Sequence, residues 1–249
     1  LFKQNKNLFL TKPNAIIFDT DNTLYEYDIA NKAAEEAVCR KARNLIGINR
    51  KEFFKVYNKA RLDIKRNLGP TASSHSRLLY FQRMIEILGL KAQLLLALDL
   101  EQTFWRTFLA NAPLFLGVKE LLIFLKNIEI PIGVVTDLTS HIQMRKLTYF
   151  GLEDIFDAVV TSEEVGADKP DPRAFNLILK KLNLKNMNNV WMVGDNLIAD
   201  IEGSQKLGAI ALQKINHKSE LNFDKIKPDL SFTKFKDLEK LIVKICDEN

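Results

Sequence analysis

A short apolar run, Ala15-Ile16-Ile17-Phe18, stops abruptly at Asp19. Its length and β-branched content predict a buried strand that feeds a polar loop. From about Asp28 to Ala112 the spacing changes. Ala33, Ala34, Ala37 and Val38, then Phe53, Phe54, Val56 and Tyr57, then Leu78, Leu79, Phe81 and Ile85 recur at helical intervals. That stretch predicts about four helices and no strand. Asn49 and Glu52 have the spacing of a capping box, and Gly89 is placed as a helix stop.

After Pro113 helix and strand alternate. A helix near Val118 to Leu125 leads to a strand over Ile130–Val135, and a helix over Ser140–Tyr149 is closed by Gly151. Then come a strand at Ala158–Val160, a helix over Pro172–Leu182 and a strand at Val190–Val193. A helix over Ile198–Leu207 is stopped by Gly208. Strands at Ala209–Leu212 and Leu230–Phe232 follow, with a last helix over Lys236–Ile245. This alternation predicts an α/β fold with a central parallel sheet and crossover helices. The first strand precedes the helical block and the others follow it. The expected organisation is therefore an α/β core of residues 13–27 and 113–249, with an all-helical insertion at 28–112.

Composition narrows the classes. Of the 249 residues, 47% are hydrophobic, which is too many for a disordered chain and enough for a substantial core. Lys and Arg number 36 against 31 Asp and Glu, a net charge of +5. That mild excess helps to attract anionic small molecules. The basic residues are dispersed along helices without interleaved aromatics, so no nucleic-acid partner is expected. The longest apolar run, Leu94 to Leu98, ends at Asp99, far short of a membrane span. Leu1 to Asn14 has lysines but no apolar stretch, unlike a signal peptide. Cys39 and Cys246 are the two cysteines, distant and without metal-ligand spacing. Free thiols in a reducing, cytoplasmic setting are the expectation.

Polar residues gather where the strands end. The first strand ends in Asp19-Thr20-Asp21-Asn22-Thr23, and the strand through Val134 ends in Thr136-Asp137. Asp168-Lys169-Pro170 follows the strand at Val160. Gly194-Asp195 follows the strand at Val190, with Asp200 beyond. Open α/β sheets bind ligands just outside the carboxyl ends of their strands, so four loops bring Asp, Thr, Lys and Asp to one crevice. Several carboxylates there repel one another unless a cation joins them, and Mg²⁺ is the usual one beside phosphate. Carboxylates, a hydroxyl, a lysine and a metal suit phosphoryl transfer. Singly, each residue also has a structural reading: a strand-end Asp as a helix cap, Lys169 as a loop lysine, Asp200 as a helix-surface residue.

Together the motifs resemble those of the haloacid dehalogenase-type (HAD) hydrolase superfamily, over essentially the whole chain after residue 13. They are the strand with DxDxT at Ile16–Thr23, the strand ending in Thr at Val134–Thr136, the lysine in Val165–Pro170, and GDxxxxD at Gly194–Asp200. The resemblance implies a HAD-like Rossmannoid core with a helical cap over the crevice. It implies Asp19 as nucleophile and Asp21 as general acid/base. Thr136, Asp137 and Lys169 would hold the phosphoryl group. Mg²⁺ would sit among Asp19, Asp21 through its backbone carbonyl, Asp195 and Asp200, the last orienting a metal-bound water or the lysine. The dehalogenase branch lacks a carboxylate at the position of Asp21, so phosphate chemistry is favoured.

The implied activity is a Mg²⁺-dependent phosphatase for a small phosphorylated metabolite, acting as a monomer or homodimer. Candidate substrates are sugar phosphates, N-acylneuraminate 9-phosphate and nucleoside monophosphates. A sugar phosphomutase would carry the same motifs. A phospho-accepting receiver module is disfavoured, because a long helical insertion after the nucleophile strand has no place in it. His75, Arg77 and Arg106 are candidates for contacting a leaving group, against a default reading of surface histidine and solvated arginines.

Overall fold

The structure, a computed structural model, describes residues 2–3, 10–216 and 226–247. The chain divides into two compact units: residues 27–113, and the remainder on either side of them.

The larger unit is built on a seven-stranded sheet. Its strands are β1 (Phe2–Lys3), β2 (Ala15–Phe18), β3 (Ile132–Thr136), β4 (Ala158–Thr161), β5 (Val190–Gly194), β6 (Ile210–Lys214) and β7 (Leu230–Phe232). The spatial order is β1-β7-β6-β5-β2-β3-β4, parallel throughout except that β1 runs antiparallel to β7. The short antiparallel edge is an addition to the parallel sheet expected from the sequence. A two-residue strand is too short to leave a periodic signal.

β2 is an interior strand, flanked by β3 and β5, and all its residues are buried. That explains why it reads as a continuous apolar run rather than an alternating one. The chain builds outward from β2 to β3 and β4, then returns to lay β5 on the other side. The carboxyl end of β2 is thus a topological switch point, the place where a crevice opens in such sheets. Phe18 pairs with Val134 and with Val193, so the loops after β2, β3 and β5 emerge side by side.

Helices cover the faces of the sheet. The helix over Pro172–Lys181 has Pro172 in its first turn and Asp171 as its cap. It buries Ala174, Phe175, Ile178 and Leu179, a stripe at helical spacing. This stripe packs with Ile17, Val135, Val160 and Met192 in one apolar cluster. The stretch expected as a helix from Ile198 is instead a wide, π-type turn over Leu197–Glu202, continued by one short helical turn at Gly203–Gln205. Backbone N–H groups of Asp200 and Ile201 both reach the Asn196 carbonyl, and that sharing widens the turn.

The smaller unit has four α-helices, as its spacing predicts, at Tyr27–Ile46, Arg50–Leu68, Arg77–Ile87 and Leu94–Ala110, with a 3₁₀ turn at Ala72–His75. Asn49 caps the second helix by accepting from the Glu52 N–H, and Gly89 follows the third with a positive φ of 73°. The core is aromatic: Tyr57 lies between Phe53 and Phe81 at centroid distances of 5.7 and 5.6 Å. Among the described residues no helix is long and apolar enough to cross a membrane.

Candidate active site

Asp19 is the first residue past β2, and its N–H continues the ladder by donating to the Val193 carbonyl at 2.9 Å. Its side chain is therefore fixed by the sheet itself. Asp19 Oδ1 accepts from Lys169 Nζ at 2.6 Å, and Oδ2 accepts from the Thr23 hydroxyl at 3.1 Å. The lysine arrives from the loop after β4, across a cis Lys169–Pro170 bond. Its ammonium also donates to Asp200 Oδ1 at 2.6 Å and to the Val135 carbonyl at 3.0 Å. Three donors thus meet three acceptors, and both Lys169 and Asp200 are buried. Lys169 is accordingly no exposed loop lysine and Asp200 no surface helix residue.

Asp200 owes its position to the wide turn and to a glycine. Its Oδ2 accepts from the Asn196 N–H at 3.1 Å. The carboxyl lies against Gly194 so closely that a Cβ there would come within 2.4 Å of it. The glycine of the GDxxxxD motif is thus required by close approach, not by backbone conformation.

Asp19, Asp195 and Asp200 each offer a carboxylate oxygen within 4.8 Å of the others. Three carboxylates share one ammonium, so negative charge is in excess. Burial pushes the Asp19 carboxyl up to about 7; Lys169 opposes this, while Asp200 and Asp21 add to it. Burial, with Asp19 and Asp200 nearby, pushes Asp195 up to about 8. For Lys169, burial alone would favour the neutral amine, but the carboxylates prevail and hold it as a cation. A site that holds protons on its acids is one that a cation would relieve. The donor set, all hard oxygen, fits Mg²⁺.

The rest of the site lines the loops after β2 and β3. Thr136 Oγ1 lies 2.7 Å from Thr20 Oγ1. Asp137 Oδ1 accepts from the Lys169 backbone N–H at 2.9 Å, so this carboxylate pins the lysine loop. Asp21 turns its carboxylate toward Lys146, whose Nζ is 2.9 Å from Oδ1 and 3.2 Å from Oδ2. The Tyr25 hydroxyl and, at 3.2 Å, the Thr20 hydroxyl also donate to Oδ1. Burial alone would raise the Asp21 carboxyl, but Lys146, Tyr25 and Thr20 outweigh it and hold the group below its ordinary value.

Lys146 and its neighbour in this shell, Gln143, escape a motif-based reading. Both lie on the helix over Ser140–Tyr149, and both are buried. Gln143 Nε2 donates to Thr136 Oγ1 at 2.9 Å and to the Asp137 carbonyl at 2.6 Å. The signal available was positional: buried Ile142, Gln143, Lys146 and Leu147 form one helical stripe, and two of its members are polar.

Of the residues considered for a leaving group, Arg106 is exposed, as the default reading has it, and His75 is partly buried. Arg77 is a correction, since it is not solvated. Its guanidinium donates to the His75 carbonyl, to Tyr27 and to Asn31, and lies over the Phe104 ring at 4.9 Å. It forms part of the helical unit's own core.

A family profile for haloacid dehalogenase-like hydrolases matches residues 13–208. The ribulose-1,5-bisphosphate 5-phosphatase of Halopiger xanaduensis is 38% identical over 195 residues, covering 78% of this chain and 81% of that protein. The glyceraldehyde 3-phosphate phosphatase of Methanothermobacter thermautotrophicus is 28% identical, covering 91% of this chain and 97% of that one. Among solved structures, the 2-haloacid dehalogenase of Pseudomonas syringae superposes with a TM-score of 0.73 at 20% identity, over 95% of this chain and 99% of that one, and so shares the fold. With its strand-end residues gathered as described, the chain belongs to the haloacid dehalogenase-like hydrolase family and is a phosphoric monoester hydrolase of it.

Proposed function

We propose that the chain hydrolyses the phosphate monoester of a small sugar phosphate by transferring the phosphoryl group to Asp19 and then to water. The observation that carries this reading is the placement of two carboxylates with different surroundings. Asp19 sits at the strand end against Lys169, and Asp21 sits two residues on, turned toward another lysine. One carboxylate suits attack and the other suits proton transfer.

In the first half-reaction Asp21, held as a carboxylate in the resting site, takes up the proton that a phosphate monoester monoanion brings. An Asp19 oxygen attacks phosphorus, the bond to the ester oxygen breaks, and Asp21 passes that proton to the ester oxygen. In the second, Asp21 takes a proton from water, whose oxygen attacks the same phosphorus. The bond to Asp19 then breaks, releasing phosphate. As charge moves from Asp19 to the phosphoryl group, Lys169 would turn the N–H it gives Asp19 toward a phosphoryl oxygen, and Thr136 would turn its proton there from Thr20. Asp137 contributes by fixing the Lys169 loop, since a carboxylate facing phosphate would repel it. Mg²⁺ would be held by Asp19, Asp195 and the Asp21 carbonyl, with Asp200 fixing Lys169 beside it, and when bound it supplies charge compensation to the phosphoryl group.

Sugar phosphates are favoured because two relatives that cover most of the chain are named for them. The helical unit serves as the cap that selects the leaving group. The enzyme works in the cytoplasm as a monomer or homodimer. The test is a phosphate-release screen with Mg²⁺ over three- to six-carbon sugar phosphates, nucleoside monophosphates and N-acylneuraminate 9-phosphate. Sugar phosphates should lead. A clear preference for nucleotides, or an isomerised sugar phosphate in place of free phosphate, would overturn the reading.

A further inference from the structure

We infer that the helix over Ser140–Tyr149 is a positioning element for the chemical step, with Lys146 setting the proton-transfer carboxylate of Asp21 and Gln143 setting the Thr136 hydroxyl. The inference rests on the phosphatase reading above.

The geometry is specific to these two side chains. Gln143 and Lys146 are 0% and 1% exposed, so neither can touch a substrate. They lie three residues apart, on one face of the helix. A buried ammonium is costly unless it is paired, and the pairing here is to a carboxylate the chemistry needs. Lys146 spans both oxygens of Asp21, which fixes the plane of the carboxylate. Three donors then converge on Oδ1: Lys146, Tyr25 and Thr20. Oδ2 receives only the longer Lys146 contact of 3.2 Å, and the Asp21 side chain as a whole is 32% exposed. The arrangement therefore assigns the two oxygens different work. Oδ1 anchors the side chain, and Oδ2 carries the proton to the leaving oxygen and takes one from water.

Gln143 does the same for the neighbouring residue. The Asp137 carbonyl can only accept, so the group facing it at 2.6 Å must be the amide nitrogen. The same nitrogen donates to Thr136 Oγ1. Because Thr20 spends its hydroxyl proton on Asp21 Oδ1, Thr136 donates to Thr20 at 2.7 Å in the resting site. Gln143 fixes the position of Oγ1, and a bound phosphoryl oxygen would draw that proton away from Thr20. Thr20, bonded to both Thr136 and Asp21, ties the two halves together.

The test compares leaving groups. Para-nitrophenyl phosphate needs little protonation as it departs, whereas ribose 5-phosphate needs a full proton transfer. For Lys146→Met we expect kcat on ribose 5-phosphate to fall by about 10-fold or more, within the range that general acid catalysis supplies. KM should be nearly unchanged, and the loss on para-nitrophenyl phosphate should be several-fold smaller. In the Asp21→Asn background the same substitution should add little, since both act on one proton. Lys146→Arg should recover part of the rate. Because Lys146→Met removes a buried cation, Tyr25→Phe provides a second probe: it deletes another donor to Oδ1 while keeping the ring, and should show the same leaving-group signature.

Equal losses on the two esters, or additive effects with Asp21→Asn, would show that Lys146 is structural and overturn the inference. If Asp21→Asn itself shows no leaving-group dependence, the phosphatase reading of Asp21 fails first. If Asp21→Asn shows it and neither Lys146→Met nor Tyr25→Phe does, only the inference fails.

Discussion

In the α/β unit, buried Lys169 and Lys146 are set against carboxylates: Lys169 against Asp19 and Asp200, Lys146 against Asp21. In the helical unit the buried charge is Arg77, and its surroundings are the Tyr80, Phe104 and Trp105 rings with the neutral oxygens of His75, Tyr27 and Asn31. The first environment leaves acids in excess over the ammonium groups, ready to exchange a proton or accept a cation. The second holds a permanent cation among rings and hydroxyls, with Glu35 near enough to favour the charge, which is a packing solution. The comparison teaches where chemistry can reside: both units bury charge, but among the described residues only the α/β unit buries carboxylates beside its cations.

The largest effect should come from Asp19→Asn. The amide is close in shape but a poor nucleophile, so steady-state phosphate release should vanish while circular dichroism stays that of the parent. Normal turnover by the folded variant would remove Asp19 from its role and dissolve the contrast between the units.

Next is Gly194→Ala. The added Cβ would meet the Asp200 carboxyl at 2.4 Å. Something must shift, and the expected cost is about 1–3 kcal/mol, the usual range for overpacking. Because the displaced group is the partner of Lys169, activity should fall as well as the midpoint of thermal unfolding. A variant with reduced stability and full kcat would show that the placement of Asp200 is structural only.

The acids of the α/β unit also predict a pH effect. Asp19 and Asp195 are pushed up to about 7 and about 8 from an ordinary 3.8. Each keeps a proton in the folded protein that the unfolded chain has already lost. Stability of the metal-free protein should therefore decline as pH rises from about 4 through about 8. Mg²⁺ bound among these acids, as proposed, would take the place of those protons, so its stabilising shift in thermal melts should be larger near pH 8 than near pH 6. A shift independent of pH would argue that the cation binds elsewhere.

The smallest effect on chemistry should come from Arg77→Met in the helical unit. It deletes stacking and hydrogen bonds together and should cost about 1–3 kcal/mol of stability. The kcat on para-nitrophenyl phosphate should barely change. A loss of kcat comparable to that of Gly194→Ala would mean Arg77 reaches the reaction after all.

Much of this was legible in the sequence, for a physical reason. Residues that perform chemistry at strand ends are constrained in type and order, so Asp19, Thr136, Lys169 and Asp195 announce themselves through the strands that precede them. The four helices of the smaller unit are equally readable from spacing. What was not readable depends on partners distant in sequence. Lys146 lies 125 residues from Asp21, and nothing in its local context distinguishes it from a solvated lysine except its place on an apolar stripe. Arg77 looks like a surface arginine until the rings that cover it are assembled. The wide turn at Leu197–Glu202 places Leu197, Asp200 and Ile201 inward much as a regular helix would, so its periodicity cannot reveal the difference.

The account stands on phosphoryl transfer to Asp19, and trapping that intermediate tests it most directly. The enzyme with Mg²⁺ and substrate is quenched in acid during turnover, reduced with borohydride, digested and mapped by mass spectrometry. An aspartyl-phosphate is an activated acyl group, so reduction should convert the Asp19 carboxyl to an alcohol, and only when substrate is present. Unmodified Asp19 from enzyme quenched in full turnover, or the same modification at another carboxylate, would contradict the account.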